Sequence, residues 1–180
     1  IDWWILRPMR YATGGTILAC WLTLEHGIAI NLGGYHHAAS GCGGGFCAYA
    51  DVPLAAKALH DEGVLGGLLV VDLDPHQGNG TAAGFNGWDW TSIYDLYERD
   101  ISPSRKELED YPLPVGPGLA GGEYLGFVRD TLPGALDAGS LPLHRSAILK
   151  VSLIPTDAGS LPISLDCSIK RDSPEPEQAL

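Results

Sequence analysis

The run LLVVDL at residues 68–73 restricts the fold of this 180-residue chain more than any other feature. Its residues are apolar apart from one aspartate and do not alternate with polar ones, so a strand formed here would be buried on both faces. Strands of this kind lie in parallel sheets that helices cover on both sides. The run therefore predicts a three-layer α/β fold with a mostly parallel central sheet.

Helix and strand patterns alternate along the rest of the chain, as such a sheet requires. Apolar spacing predicts helices over 13–26, 52–62, near 81–85 and over 122–136. Further strands are predicted at 28–32, 91–96 and 147–154, with a Pro- and Gly-rich loop at 102–122. Asp51 is expected to cap the second helix, and Pro133 to kink or end the last one. The expected inward-facing residues are Leu54, Ala55, Ala58 and Leu59 in the second helix, and Tyr124, Leu125, Val128, Leu132 and Leu136 in the last.

The chain is strongly acidic, with 22 Asp and Glu against 11 Lys and Arg, a net charge of −11. Such a surface argues against binding nucleic acid and is compatible with cationic substrates. Since no apolar run is long enough, we expect no transmembrane helix and no membrane partner. The four cysteines form no CxxC pair and no signal peptide is visible, so the predicted location is cytoplasmic, or nuclear in a eukaryote.

Asp72, Asp74 and His76 are spaced by two residues at the end of the 68–73 strand. In an extended segment this spacing places their side chains on one face. The carboxyl end of a strand is where open α/β sheets place ligands, and carboxylate and imidazole groups both suit Zn²⁺. On this pattern alone, the alternative is that the aspartates stabilise turns and the histidine is solvated.

His36 and His37 follow a predicted strand and two glycines, so they also lie at a strand end. A neutral imidazole beside a metal-bound water is a suitable general base. Adjacent histidines also occur by chance in surface loops. Together with the Asp72–His76 pattern, however, they favour an active site.

Three segments in this order resemble the histone deacetylase family: NLGGYHHA (31–38), GGGFCAYAD (43–51) and VVDLDPHQGNGTA (70–82). Gln77 and Asn79, where many members carry His and Asp, and YDLYERDISP (94–103) resemble the class IV branch and its bacterial relatives. The resemblance covers residues 8–136, whereas 138–180 is divergent and carries the repeat DAGSLP. It implies an arginase/deacetylase-like fold, incomplete at both ends, in a single partial domain over 1–180 whose open sheet edges favour association.

The resemblance also implies roles for individual residues. Asp74 and His76 would be zinc ligands, and His37 would be the general base, facing Asn79. His36 would stabilise the developing oxyanion, with Asp72 orienting it. Gly45 and Phe46 would line a tunnel for acyl-lysine, and Asp95 and Leu96 would contribute to a structural monovalent-cation site. Cys42 and Cys47 are expected to be loop or packing residues.

Two parts of the family's site lack a clear counterpart. Asp157 is the candidate third zinc ligand, with a loop residue as the alternative, and Asp166 is a weaker candidate. The family's carbonyl-polarising Tyr, from a Gly-Gly-Tyr loop, has no match after residue 137. Losing such a donor costs roughly 100- to 1,000-fold in rate, so we expect this chain to be a weak or inactive catalyst.

The implied function is a zinc-dependent deacylase that hydrolyses the amide of acetyl- or acyl-lysine. Its partners would be an acylated lysine peptide or a small acetylated amine, and the oligomeric state stays open. Two alternatives remain. One is a non-catalytic fragment that acts as a binding or interaction module. The other is an amidohydrolase of acetylated polyamines, which the acidic charge suits equally well.

Overall fold

A five-stranded sheet lies at the centre of the computed structural model, which describes residues 1–35, 37–41, 43–138, 146–149 and 168–170. A π-helical turn, Asp2–Leu6, leads into the first helix. The helices are α1 Arg7–His26, α2 Asp51–Asp61, α3 Asn79–Phe85 and α4 Gly121–Ala138. The strands are β1 Gly67–Asp72, β2 Thr91–Glu98, β3 Tyr111–Val115, β4 Ser146–Leu149 and β5 Ser168–Lys170.

The strand order is β3-β2-β1-β4-β5, and every neighbouring pair is parallel except β4 and β5. This confirms the predicted mostly parallel sheet, with β1 at its centre. In the register of β1 and β2, Asp72 is paired with Asp95, so two carboxylates come together at the carboxyl end of the two strands.

The core has two halves because successive residues of β1 point to opposite faces of the sheet. Leu68 and Val70 pack with α2 and α3 residues in one cluster, and Leu69 and Val71 pack with Ala135 of α4 in the other. Every residue of β1 is buried, as the apolar run predicts. Because a fully buried Leu or Val contributes about 1.5–3 kcal/mol, this strand alone stabilises the sheet substantially.

Two predictions about strands are wrong. Residues 28–32 form no strand, and the apolar side chains of Ile28, Ile30 and Leu32 are more than half exposed. The two strands that pair with β1 are β2 and β4, so residues 28–32 do not contribute to the sheet. The second error concerns 102–122, which was expected to be loop throughout but contains β3. Proline is tolerated there because β3 pairs on one side with β2 alone.

The helices end close to their predicted positions, and all but α1 also begin there; α1 starts at Arg7, six residues before the predicted start at residue 13. Gly27 ends α1 as expected, with a φ of 85°. Pro133, in contrast, neither ends nor interrupts α4. Leu54, Leu125 and Leu136 are 45–51% exposed, so their predicted inward orientation is wrong.

Other predicted core positions are confirmed. Ala55 and Leu59 are buried in α2, while Tyr124, Val128 and Leu132 pack against the core from α4. The predicted strand at 147–154 is found as β4, and its remainder lies outside the described residues. None of the helices in the described part of the chain combines the length and apolar character that crossing a membrane requires.

Candidate active site at the carboxyl end of the sheet

The chain turns immediately after Asp72, the last residue of β1, instead of continuing extended as we expected. The Asp74 amide donates a hydrogen bond to Asp72 Oδ1 at 3.0 Å, and the His76 amide donates one to Asp74 Oδ1 at 2.8 Å. Each aspartate therefore stabilises a turn two residues further on, as aspartates do in Asx turns. These turns, rather than a shared strand face, set the positions of the three residues, and they bring the side chains of Asp74 and His76 together.

Asp74 and His76 present two adjacent atoms that could coordinate a metal ion, because His76 Nδ1 lies 3.1 Å from Asp74 Oδ1. Asp74 is buried, whereas the His76 side chain is 38% exposed. Carboxylate oxygen and imidazole nitrogen are both suitable zinc ligands, so these two residues fit a zinc site. Within the described residues, no group of three His, Cys, Asp or Glu side chains is placed to hold a metal ion.

His37 lies beside this pair, with its ring centroid 6.0 Å from that of His76 and the two rings nearly perpendicular. Its Nδ1 is 2.7 Å from Asn79 Oδ1. Because an amide oxygen can only accept, this contact places a proton on His37 Nδ1, and in the neutral ring Nε2 then has a free lone pair. The structure thus brings together His37, Asn79, Asp74 and His76, whereas His36, Cys42, Asp157 and Asp166 lie outside the described residues.

Two glycines allow the surrounding backbone to pack directly on His37. A Cβ atom at Gly45, where φ is +50°, would overlap the His37 imidazole, and one at Gly80 would overlap the backbone that follows His37. The glycine-dense loop and the first turn of α3 therefore hold His37 between them. Phe46, the next residue of that loop, is 99% exposed, and Cys47 Sγ donates to Gly45 O.

A group of buried carboxylates lies beneath the turns. Asp95 is 0% exposed, and its Oδ2 accepts a hydrogen bond from the Gly78 amide at 2.8 Å. Its Oδ1 and both carboxylate oxygens of Glu109 have no hydrogen-bond partner in the described part of the chain. Burial, followed by the charges of Asp72 and Glu109, raises the pKa of Asp95, and burial likewise raises that of Glu109.

This group fits the cation site that the resemblance implies, because a buried carboxylate is stable only when a proton, a cation or hydrogen bonds compensate its charge. Gly78 leaves room at the same place, since a Cβ there would lie 2.8 Å from Asp72 Oδ2 and 3.6 Å from Asp95 Oδ2. Glu109 was missed in the sequence because it lies in a segment expected to be a plain loop.

Gln77 was also missed as a structural residue. Its buried side-chain amide donates to the Glu107 carbonyl and accepts from the Glu107 amide, both at 2.9 Å. This pair of bonds fastens the turn after His76 to the segment that leads into β3. A glutamine whose partner is backbone 30 residues away leaves no signal in a sequence pattern.

Comparison with known proteins identifies the family of this chain. The histone deacetylase domain matches residues 4–118. An uncharacterized protein from Picosynechococcus sp. is 41% identical over 122 residues, which cover 67% of this chain and 41% of that protein. Histone deacetylase 2 from Arabidopsis thaliana is 38% identical over 132 residues, covering 71% of this chain and 34% of that protein.

Solved structures show the same fold. A histone deacetylase homologue from Aquifex aeolicus superposes with a TM-score of 0.62 at 26% identity, covering 70% of this chain and 37% of that one. For acetylpolyamine aminohydrolase from Burkholderia pseudomallei the TM-score is 0.61 at 20% identity, covering 73% and 42%. The chain therefore spans about two fifths or less of the length of these relatives. Family match, identity and fold together show that the chain belongs to the histone deacetylase family.

Proposed function

We propose that this chain is a zinc-dependent deacylase of low activity that hydrolyses the amide of acetyl- or acyl-lysine. The observation that supports it best is the placement of His37, whose Nδ1 bonds to Asn79 at 2.7 Å while its ring lies 6.0 Å from that of His76. An imidazole with a free Nε2 beside a carboxylate–imidazole pair is the arrangement that metal-assisted amide hydrolysis needs.

Asp74 and His76 would hold the zinc ion, together with Asp157 as the proposed third ligand. When bound, zinc supplies positive charge that polarises the amide carbonyl and makes a water molecule more acidic. The same residues support their own backbone turn through the bond from the His76 amide to Asp74 Oδ1. This bond holds the two residues close to each other.

His37 carries the proton transfers in this proposal. Its Nε2 accepts a proton from water as the water oxygen attacks the amide carbon, and Asn79 keeps Nδ1–H in place. The imidazolium then gives the proton to the leaving nitrogen as the C–N bond breaks, which yields a free amine and a carboxylic acid that releases its proton to solvent. Asn79 is neutral, so it orients the ring without the charge that an aspartate would supply.

The remaining roles follow the family resemblance. Gly45 packs on His37 and precedes the exposed Phe46, so these two residues would border the acyl-lysine entrance. Asp72 orienting His36 and His36 stabilising the oxyanion stay proposals, because residue 36 lies outside the described residues. Asp95, beside the backbone of Leu96, would contribute to a structural monovalent-cation site.

Zinc content and hydrolysis, measured on the same preparations, test the proposal. The wild-type chain should bind about one zinc ion, His76→Ala should lose it, and the control His26→Ala, at an exposed imidazole at the end of α1, should keep it. His37→Ala should retain zinc but lose roughly 100- to 10,000-fold in deacylation rate. Zinc binding that survives His76→Ala, or full activity in His37→Ala, would refute these assignments.

Acetylated polyamines are the second candidate substrate, because the net charge of −11 favours cationic ligands. Parallel assays with an acetyl-lysine peptide and an acetylated polyamine separate the two, since the larger kcat/KM identifies the substrate class. A chain that binds zinc and peptide but hydrolyses neither would instead be a binding module.

A further inference from the structure

The Asp51 carboxylate at the start of α2 is 1% exposed and bonded at both oxygens. Oδ2 accepts from the Thr16 hydroxyl of α1 at 2.6 Å, and Oδ1 accepts from the backbone amide of Tyr35 at 2.9 Å. It makes no bond that caps its own helix, which corrects the sequence prediction. The carboxylate joins two helices to the residue that directly precedes the histidine pair.

The same polar group extends along the segment before the histidines. The Asn31 side-chain amide donates to Thr16 Oγ1 at 2.8 Å and to the Gly33 carbonyl at 3.0 Å. Residues 28–35 have neither helical nor strand hydrogen bonds. In the described structure, these side-chain bonds anchor residues 31–35. Asn31 is linked to the Asp51 carboxylate through Thr16, and the Tyr35 amide donates to it directly.

Burying a carboxylate is unfavourable, and an apolar side chain of similar size is usually tolerated as well or better. Neighbouring positions of α2, such as Val52, Ala55 and Ala56, are apolar and buried. Tight packing of α2 alone does not explain Asp51. The hydrogen bonds of Asp51 explain its presence, because a carboxylate acceptor makes hydrogen bonds about twice as strong as a neutral one.

We propose that Asp51 is a positioning residue for His37. By holding the Tyr35 amide, Asp51 fixes where the chain enters the histidine pair, while Gly45 and Gly80 hold His37 from the other side. The His37–Asn79 bond at 2.7 Å depends on that placement, because hydrogen bonds weaken steeply when the atoms move apart or out of line. The consequence for catalysis rests on the proposed function, whereas the consequence for His37 geometry does not.

Three variants separate positioning from simple helix packing. Asp51→Leu fills the space but removes both bonds. Asp51→Asn keeps an acceptor for the Tyr35 amide but cannot accept from the Thr16 hydroxyl. Thr16→Val removes only the bond to α1. If Asp51 acts through Tyr35, Asp51→Asn and Thr16→Val should resemble wild type, and Asp51→Leu should not.

The primary measurement is long-range ¹H–¹⁵N NMR of the histidine side chains in the full zinc-free chain, with His37 assigned from a His37→Gln variant. Wild type, Asp51→Asn and Thr16→Val should all show the Nδ1–H form of His37. Asp51→Leu should show a mixture of tautomers, while urea unfolding confirms that it still unfolds cooperatively. If Asp51→Leu does not fold, Asp51→Asn and Thr16→Val decide, because loss of the wild-type signal in either folded variant contradicts the proposal.

Kinetics and metal content give the second readout. Asp51→Leu should lower kcat by roughly 100-fold, the effect of misplacing a catalytic group by about 1 Å, with KM and zinc content nearly unchanged. A wild-type His37 signal in Asp51→Leu, or equal losses in Asp51→Leu and Thr16→Val, would overturn the positioning role. If no form of the chain hydrolyses substrate, the deacylase proposal fails, yet the NMR result still decides the role of Asp51.

Discussion

Replacing Asp95 by Asn should make the protein more stable at neutral and alkaline pH. Asp95 is completely buried, and its Oδ1 has no partner in the described residues. Burial and the charges of Asp72 and Glu109 raise its pKa above the usual 3.8. The folded protein therefore holds a proton on this carboxyl group at pH values where the unfolded chain has already released it.

The sign and size of the effect follow from that proton. A raised pKa in the folded state means that stability is fully present below the unfolded pKa and is lost as pH rises toward the folded one. One proton corresponds to about 1.4 kcal/mol per pH unit, or about 4 kcal/mol between pH 5 and pH 8. Asn does not titrate, keeps an acceptor for the Gly78 amide and can donate to a neighbouring carboxylate. We expect it to gain about 2–4 kcal/mol at pH 8 and little at pH 5.

Urea unfolding followed by tryptophan fluorescence, in choline chloride at several pH values, measures this difference. The free energy of unfolding of wild type should fall with pH more steeply than that of Asp95→Asn, by about one proton. Adding KCl should stabilise wild type and reduce its slope if a cation binds at Asp95, with little effect on the variant. Parallel pH curves for the two proteins would refute the argument.

Three further substitutions test the packing. Gly80→Ala should cost about 1–3 kcal/mol or more, because its Cβ would overlap backbone, whereas Gly122→Ala, with open space around it, should change stability by less than about 1 kcal/mol. Leu69→Ala, at a buried position, should cost about 2–5 kcal/mol, and Leu108→Ala, at a 96% exposed one, less than about 0.5 kcal/mol. Tyr124→Phe removes a hydroxyl that donates to the Leu73 carbonyl at 2.9 Å and should cost about 1 kcal/mol. Urea midpoints check all three, and equal losses within either matched pair would contradict the packing described.

The elements that the sequence predicts well are those whose signal is local. The buried run of β1 and most of the helical spacing of α2 and α4 arise from apolar residues that face the core, with Leu54, Leu125 and Leu136 as exceptions. At Ile28 and Ile30 the same apolar composition lies on the surface, because no strand in the described part of the chain pairs with this segment. In β3 the prolines conceal a strand that exists only through its pairing with β2.

The candidate site divides in the same way. The histidine and aspartate motifs are visible because their spacing is short, and three of their members, His37, Asp74 and His76, lie close together. Gln77 bonds to backbone 30 positions away in the chain, Asp51 bonds to residues 16 and 35 positions away, and Glu109 acts through its charge on Asp95. Such contacts depend on how helices and loops pack, so only the folded structure identifies them.

The prolines of β3 have a consequence for how copies of this protein can meet. Pro112 and Pro114 alternate along β3 with residues whose backbone groups point toward β2. Val115 is one of these residues, and its carbonyl accepts a hydrogen bond from the Arg99 amide. The ring nitrogens therefore face away from β2, and proline nitrogen has no hydrogen to donate. Along its outer side β3 offers acceptors without the donors that an incoming strand needs, which disfavours strand addition at this edge of the sheet as the described residues form it.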